Sequence, residues 1–146
     1  MTNKSISEAA AHYGVPESTL RYYEKKGLLP YLQRDEAGRR LFSDFHMTLL
    51  QVILNLKRTH MPLSSIRQYV AWVVEGEQTT EPRLDMMLKH RQAVLNEIEE
   101  MNTALDGINI KIERYQKRVN GWKNKDDASG NKKSDDDPTH RKEVHL

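Results

Sequence analysis

A chain of 146 residues, 30% charged and 7% aromatic, has room for one domain of moderate core plus an extended element, with much solvated surface. It has no cysteine, which excludes disulfides, thiolate sensing and cysteine-based metal centres, and no apolar run of membrane-span length or secretory-signal type, so no membrane partner and a cytoplasmic location are expected. The net charge of +2 is uneven: residues 1–72 carry ten Lys/Arg against six Asp/Glu and residues 73–122 seven against nine, so a basic part suited to DNA precedes an acidic one.

Ile6, Ala9, Ala10 and Tyr13 give the apolar face of a short helix that Ser7 is expected to cap and Gly14 to end. Pro16 suits the first turn of a second helix, continued by Ser18 to Lys26 and closed by Gly27. Two short helices joined by a glycine-containing turn make a helix-turn-helix, and each needs a further element to pack against. Ser18, Thr19, Arg21 and Tyr22 form the face expected to meet DNA, with Leu20 and Tyr23 as candidates for the inner face. Arg21 can fork onto guanine O6/N7 or a phosphate, and Tyr22 can donate its hydroxyl to a phosphate. Lys25 and Lys26 suit the negative end of the helix dipole, with at most a secondary phosphate contact.

Pro30 interrupts helix, and Gln33 to Arg40 has polar turn chemistry around Gly38, with flanking extended segments able to pair as a small hairpin. Ser43 is placed to cap a third helix from about Asp44 to Thr59, with Phe45, Leu49, Val52, Ile53 and Leu56 at core spacing. Ser64 is the expected cap of a fourth, where Ile66, Tyr69, Val70 and Val73 recur. Residues 76–82 read as a polar junction. Beyond it Leu84, Met87, Arg91, Val94, Ile98, Met101, Leu105, Ile108, Ile112 and Tyr115 alternate spacings of three and four, a heptad stripe about 45–50 Å long. A chain of this size lacks the surface to bury such a stripe alone, so a homodimer is expected. Leu88 and Leu95 widen the first half of the stripe, which suggests that it also receives another element. Arg91 either sets register, pairs with an acidic group of the partner, or snorkels out of the seam. Residues 121–146 are polar, and disorder is expected there; Asp135, Asp136 and Asp137 read as solvated charge.

The expected fold class is all-α with a small β wing: a winged helix-turn-helix at 1–75, a junction at 76–82, a coiled-coil dimerisation helix at 83–120 and a tail at 121–146. No catalytic group is expected, because no Ser/His/Asp arrangement, paired carboxylates or Gly-rich phosphate loop stands out. No two of the six histidines lie at i, i+4, so His12, His46, His60, His90, His140 and His145 read as surface residues or as hydrogen-bonding supports of their neighbours, with no metal or cofactor.

The segments SISEAAAHYGVPESTLRYYEKKGLL, RDEAGRRLFSD, LLQVILNLKRTHMPLSSI and GEQTTEPRLDMMLKHR resemble the MerR family of bacterial transcription regulators, over residues 4–120. The last two look most like the short-chain subgroup that responds to aldehydes, nitric oxide and other electrophiles. The resemblance implies an antiparallel homodimer that binds a pseudo-palindromic promoter and distorts an overlong spacer for RNA polymerase. Arg21 and Tyr22 match family DNA-contacting positions, and Arg39 and Arg40 resemble wing residues that approach the DNA backbone and minor groove; Arg34 is a weaker candidate. Subgroup members carry a cysteine in the helix after the wing, where this chain has Asn55, so electrophile sensing does not travel with the resemblance. The leading reading is thus a dimeric, stress-related, promoter-distorting transcription regulator; the family usually activates and also represses, and neither follows from residue types. The alternative is a coiled-coil structural or adaptor protein that binds DNA non-specifically, or protein.

Overall fold

Five helices and a two-stranded antiparallel hairpin make up residues 2–129, which the computed structural model describes. The order is α1 (Ile6–Tyr13), α2 (Glu17–Lys25), β1 (Gln33–Arg34), β2 (Arg40–Leu41), α3 (Asp44–Arg58), α4 (Leu63–Glu75) and α5 (Thr80–Ser129), with a 3-10 turn at Glu77–Thr79. The expected hairpin forms with Gln33 opposite Leu41 and Arg34 opposite Arg40. Lys4 and Phe42 exchange two backbone hydrogen bonds of 2.8 Å, so the N-terminal segment pairs with the chain just beyond β2.

Two caps differ from expectation. Ser5, not Ser7, starts α1: its hydroxyl accepts from the Glu8 N–H at 3.1 Å, and the Glu8 carboxylate accepts from the Ser5 N–H at 2.8 Å. This reciprocal pair satisfies two otherwise orphaned donors and holds the Glu8 carboxyl below its ordinary value. Pro62, not Ser64, precedes α4, which begins at Leu63. Ser43 does cap α3, in a capping box whose third residue is His46 rather than an acid.

Helices α1 to α4 share one core. Leu20, Leu28, Phe42, Leu50, Ile53 and Ile66 are fully enclosed, with Ala9, Ala10, Tyr23, Leu49, Leu54, Leu56 and Val70 around them. Burying each large side chain contributes roughly 1.5–3 kcal/mol, which lets helices too short to stand alone persist together. Phe45, expected in the core, is 40% exposed, and His46 takes the inward position beside it. His46, expected either at the surface or in support of a neighbour, is buried in the second way: Nε2 lies 2.7 Å from the Pro30 carbonyl oxygen, and Nδ1 lies 3.3 Å from the Ser43 backbone nitrogen. The tautomer with its proton on Nε2 donates to Pro30 and accepts from Ser43, leaving both ring nitrogens satisfied.

The chain divides into two compact units between Asn96 and Glu97. Within the first unit the start of α5 is integral to the head: Met86 and Met87 pack against its core, and His90 Nε2 lies 2.7 Å from Thr59 Oγ1. The junction is tightly bonded. Buried Thr79 donates its hydroxyl to the carbonyls of Trp72 (2.6 Å) and Gly76 (2.7 Å), and Arg83 donates to Thr79 Oγ1 and to Gly76 O, both at 3.0 Å. Helix α5 continues past the expected end at 120 to Ser129; the rest of the expected tail, with its aspartate run, His140 and His145, lies outside the described residues.

Candidate nucleic-acid interface

Gly14 adopts the left-handed conformation (φ 65°) that lets α1 end and the chain turn at once into α2. Helix α2 then has two unlike faces. Leu20 and Tyr23 are buried, as expected, while Ser18, Arg21, Tyr22 and Lys25 are exposed and Thr19 is half-buried. The Arg21 guanidinium rests on Glu17 one turn earlier, at 2.9 Å, with both side chains well exposed. An exposed pair of this kind is worth at most about 1 kcal/mol, so Arg21 is easily released to another anion. Tyr22 is 45% exposed, and Lys26 Nζ sits 5.6 Å from its ring centre.

The hairpin turn is organised by Asp35. Its carboxylate accepts from the backbone N–H groups of Ala37 (2.9 Å) and Arg39 (2.8 Å) and from Arg39 Nε (3.0 Å). These donors, led by the Arg39 backbone, keep the Asp35 carboxyl below its ordinary value. Arg39 projects into solvent with 77% of its side chain exposed. Arg40 is different: it is half-buried, and its Nε donates to Glu24 of α2 at 2.6 Å. Arg34 reaches the other oxygen of Glu24 at 3.4 Å and the Gly38 carbonyl at 2.9 Å. The fold therefore joins Arg34 and Arg40 to α2 through Glu24, and leaves Arg39 at the hairpin tip. Sequence reasoning missed Glu24 and Asp35, because a carboxylate inside a basic run carries no sign of which cation it meets. It also passed over Tyr31, 68% exposed beside the hairpin at φ 64°.

Along α5, Leu84, Ile98, Met101, Leu105, Ile108, Ile112 and Tyr115 are 46–71% exposed, Arg91 is exposed, Val94 is partly covered, and Met87 packs on the head. Val119 and Trp122 continue the same three-four spacing, which sequence reasoning ended at Tyr115. Asn55 is exposed on α3, and its backbone carbonyl accepts from the Thr59 hydroxyl at 2.7 Å. Among the described residues no cluster of three or more His, Asp or Glu could hold a metal ion, and no helix is long and apolar enough to cross a membrane.

A family model described as "MerR HTH family regulatory protein" matches residues 4–71. An uncharacterized HTH-type transcriptional regulator of Haemophilus influenzae is 36% identical over 113 residues, covering 77% of this chain and 84% of the relative. The crystal structure of a MerR-family transcriptional regulator from Bacillus thuringiensis aligns at 37% identity with a TM-score of 0.74, over 78% of this chain and all of that one. HiNmlR, described as a MerR family regulator lacking the sensor domain and solved bound to promoter DNA, aligns at 32% identity with a TM-score of 0.73, over 88% of this chain and 96% of its own. The likeness extends from the two-faced α2 and its hairpin well into α5, and on that ground the chain belongs to the MerR family of DNA-binding transcription regulators.

Proposed function

We propose that two copies of the chain associate through antiparallel α5 helices and bind a pseudo-palindromic promoter, with α2 of each copy in a major groove and each hairpin as a wing. The sidedness of α2 carries this reading: Leu20 and Tyr23 are held in the core, so Ser18, Thr19, Arg21, Tyr22 and Lys25 are offered outward together. Arg39 and Arg40 take the wing contacts. The half-exposed apolar stripe from Leu84 to Tyr115 supports the dimer, since a contiguous apolar face of that extent is seldom left to water. Two heads on one dimer address half-sites about 34 Å, or a multiple of it, apart. Distorting the DNA between them costs on the order of a few kcal/mol, which contacts from two helices and two wings offset.

In this reading the chain acts in the cytoplasm as an activator, restoring promoter geometry for RNA polymerase, and has no catalytic role. Asn55 and the absence of cysteine remove thiol-based electrophile capture from its repertoire. HiNmlR, described as lacking the sensor domain and solved bound to promoter DNA, supports DNA binding by a chain of this plan. Selection from a random duplex library by the full-length protein at moderate salt tests the proposal. Enrichment of an inverted repeat, lost on Arg21→Ala or Arg40→Ala with the dimer intact, supports it; failure of the wild-type chain to enrich any sequence overturns it.

A further inference from the structure

Glu24 stands where α2 and the hairpin meet. One oxygen accepts from Arg40 Nε at 2.6 Å and the other from Arg34 Nη2 at 3.4 Å, with the Glu24 and Arg40 side chains only 26% and 22% exposed. One carboxylate between two guanidinium groups leaves the cluster with excess positive charge. Arg34 is further tied to the turn by its bond to the Gly38 carbonyl. Arg40 is held at Nε alone. Among the described residues its Nη groups have no hydrogen-bond partner, and no buried side-chain donor lacks one, so these Nη groups reach solvent. A guanidinium gripped at Nε keeps its outer fork free and its orientation fixed, the arrangement suited to a phosphate.

We propose that Glu24 is a positioning residue of the DNA interface: it locks the hairpin against α2 and aims the Arg40 fork at a phosphate without touching DNA itself. This rests on Arg40 being a DNA contact. Simple charge predicts the opposite sign, because a carboxylate beside a polyanion repels it, and removing one should tighten binding. Positioning predicts weaker binding, because the ordering of the long Arg40 side chain then falls on the association step.

The test uses full-length protein, the duplex that the wild-type chain selects, and fluorescence anisotropy across a salt series. Glu24→Ala should bind about ten-fold more weakly, the scale of one charged hydrogen bond. Its plot of log affinity against log salt should be shallower by about one per protomer. Glu24→Gln keeps the volume and one acceptor for Arg40 Nε, so its loss should be smaller. Glu24→Ala combined with Arg40→Ala should be no worse than Arg40→Ala alone, whereas Arg21→Ala should add to Glu24→Ala. Thermal melts of the same variants separate these effects from unfolding. Tighter or unchanged binding by folded Glu24 variants, or additivity with Arg40→Ala, would overturn the proposal alone. A wild-type chain that selects no duplex would overturn the DNA-contact reading with it.

Discussion

The Tyr13 hydroxyl donates to the Met47 carbonyl oxygen at 2.6 Å, fastening the end of α1 to the first turn of α3 across 34 residues of sequence. Removing the hydroxyl in Tyr13→Phe leaves the ring packed but deletes this bond, and should cost about 1 kcal/mol in urea unfolding. Burial also raises the Tyr13 phenol above its ordinary 10.0, so the neutral form is favoured in the fold. Its contribution is complete below pH 10 and fades as pH rises through the higher folded value. Urea midpoints measured from pH 9 to 11 should therefore fall less steeply in Tyr13→Phe than in the wild-type chain; equal slopes would contradict the assignment.

Helices α2 and α3 end alike, with one left-handed residue after the cap and a hydrogen bond reaching back over it. In α2 that residue is Gly27 (φ 78°), with the Leu28 N–H on the Tyr23 carbonyl; in α3 it is His60 (φ 71°), with the Met61 N–H on the Leu56 carbonyl. A side chain at such a position costs roughly 1–2 kcal/mol. His60→Gly should accordingly stabilise the head by about 0.5–1 kcal/mol, raising Tm by several degrees in calorimetry. Gly27→Ala should do the reverse, although its new methyl meets nothing within 4 Å.

Arg91 is the one charged residue in the expected stripe, and it is exposed in the single chain. Arg91→Leu should keep or strengthen the dimer while permitting other oligomers, because the seam then has no charged member to fix its register. Sedimentation equilibrium checks this, and a weaker dimer would contradict it.

Asp35 carries the acid response of the hairpin. Its carboxyl is held below the ordinary value of 3.8, so its support is present above that value and is lost as pH falls through the lower folded one. Protection of the Arg39 and Ala37 amides relative to their intrinsic exchange rates should fall on acidification, both being bonded to Asp35, while Asp35→Ala should show low protection at every pH.

With no cysteine in the chain, the thiol oxidant diamide should leave operator affinity unchanged in an anisotropy titration. A reversible, thiol-dependent shift would be incompatible with the sequence.

Much of this architecture was legible because it is periodic. Leu20 and Tyr23 turn inward and Leu49, Ile53, Leu56, Ile66 and Val70 reach the core at the spacings that named them. The α1 cap was legible and misread: Ser5 and Ser7 are equal by residue type, but only Ser5 has an acid three residues on. Phe45 failed for a different reason. Helical spacing fixes which residues share a face but not the rotation of that face toward the core, which His46 decides by its two bonds. Glu24 was illegible because its partner Arg40 lies sixteen residues away, across a hairpin whose docking is a tertiary event. The end of α5 was obscured by composition: polar residues hid Val119 and Trp122, which keep the heptad spacing.

The histidine that closes the capping box of α3 also grips the backbone of Pro30, just ahead of Tyr31 and the hairpin. Helix ends ordinarily fray by themselves, as small private openings that involve little else. In this chain the first turn of α3 has no such privacy. To open it, His46 must leave both Ser43 and Pro30, so the segment leading into the hairpin is released in the same event. Hydrogen-exchange protection at the start of α3 and in the hairpin should therefore be gained and lost together, as one opening unit.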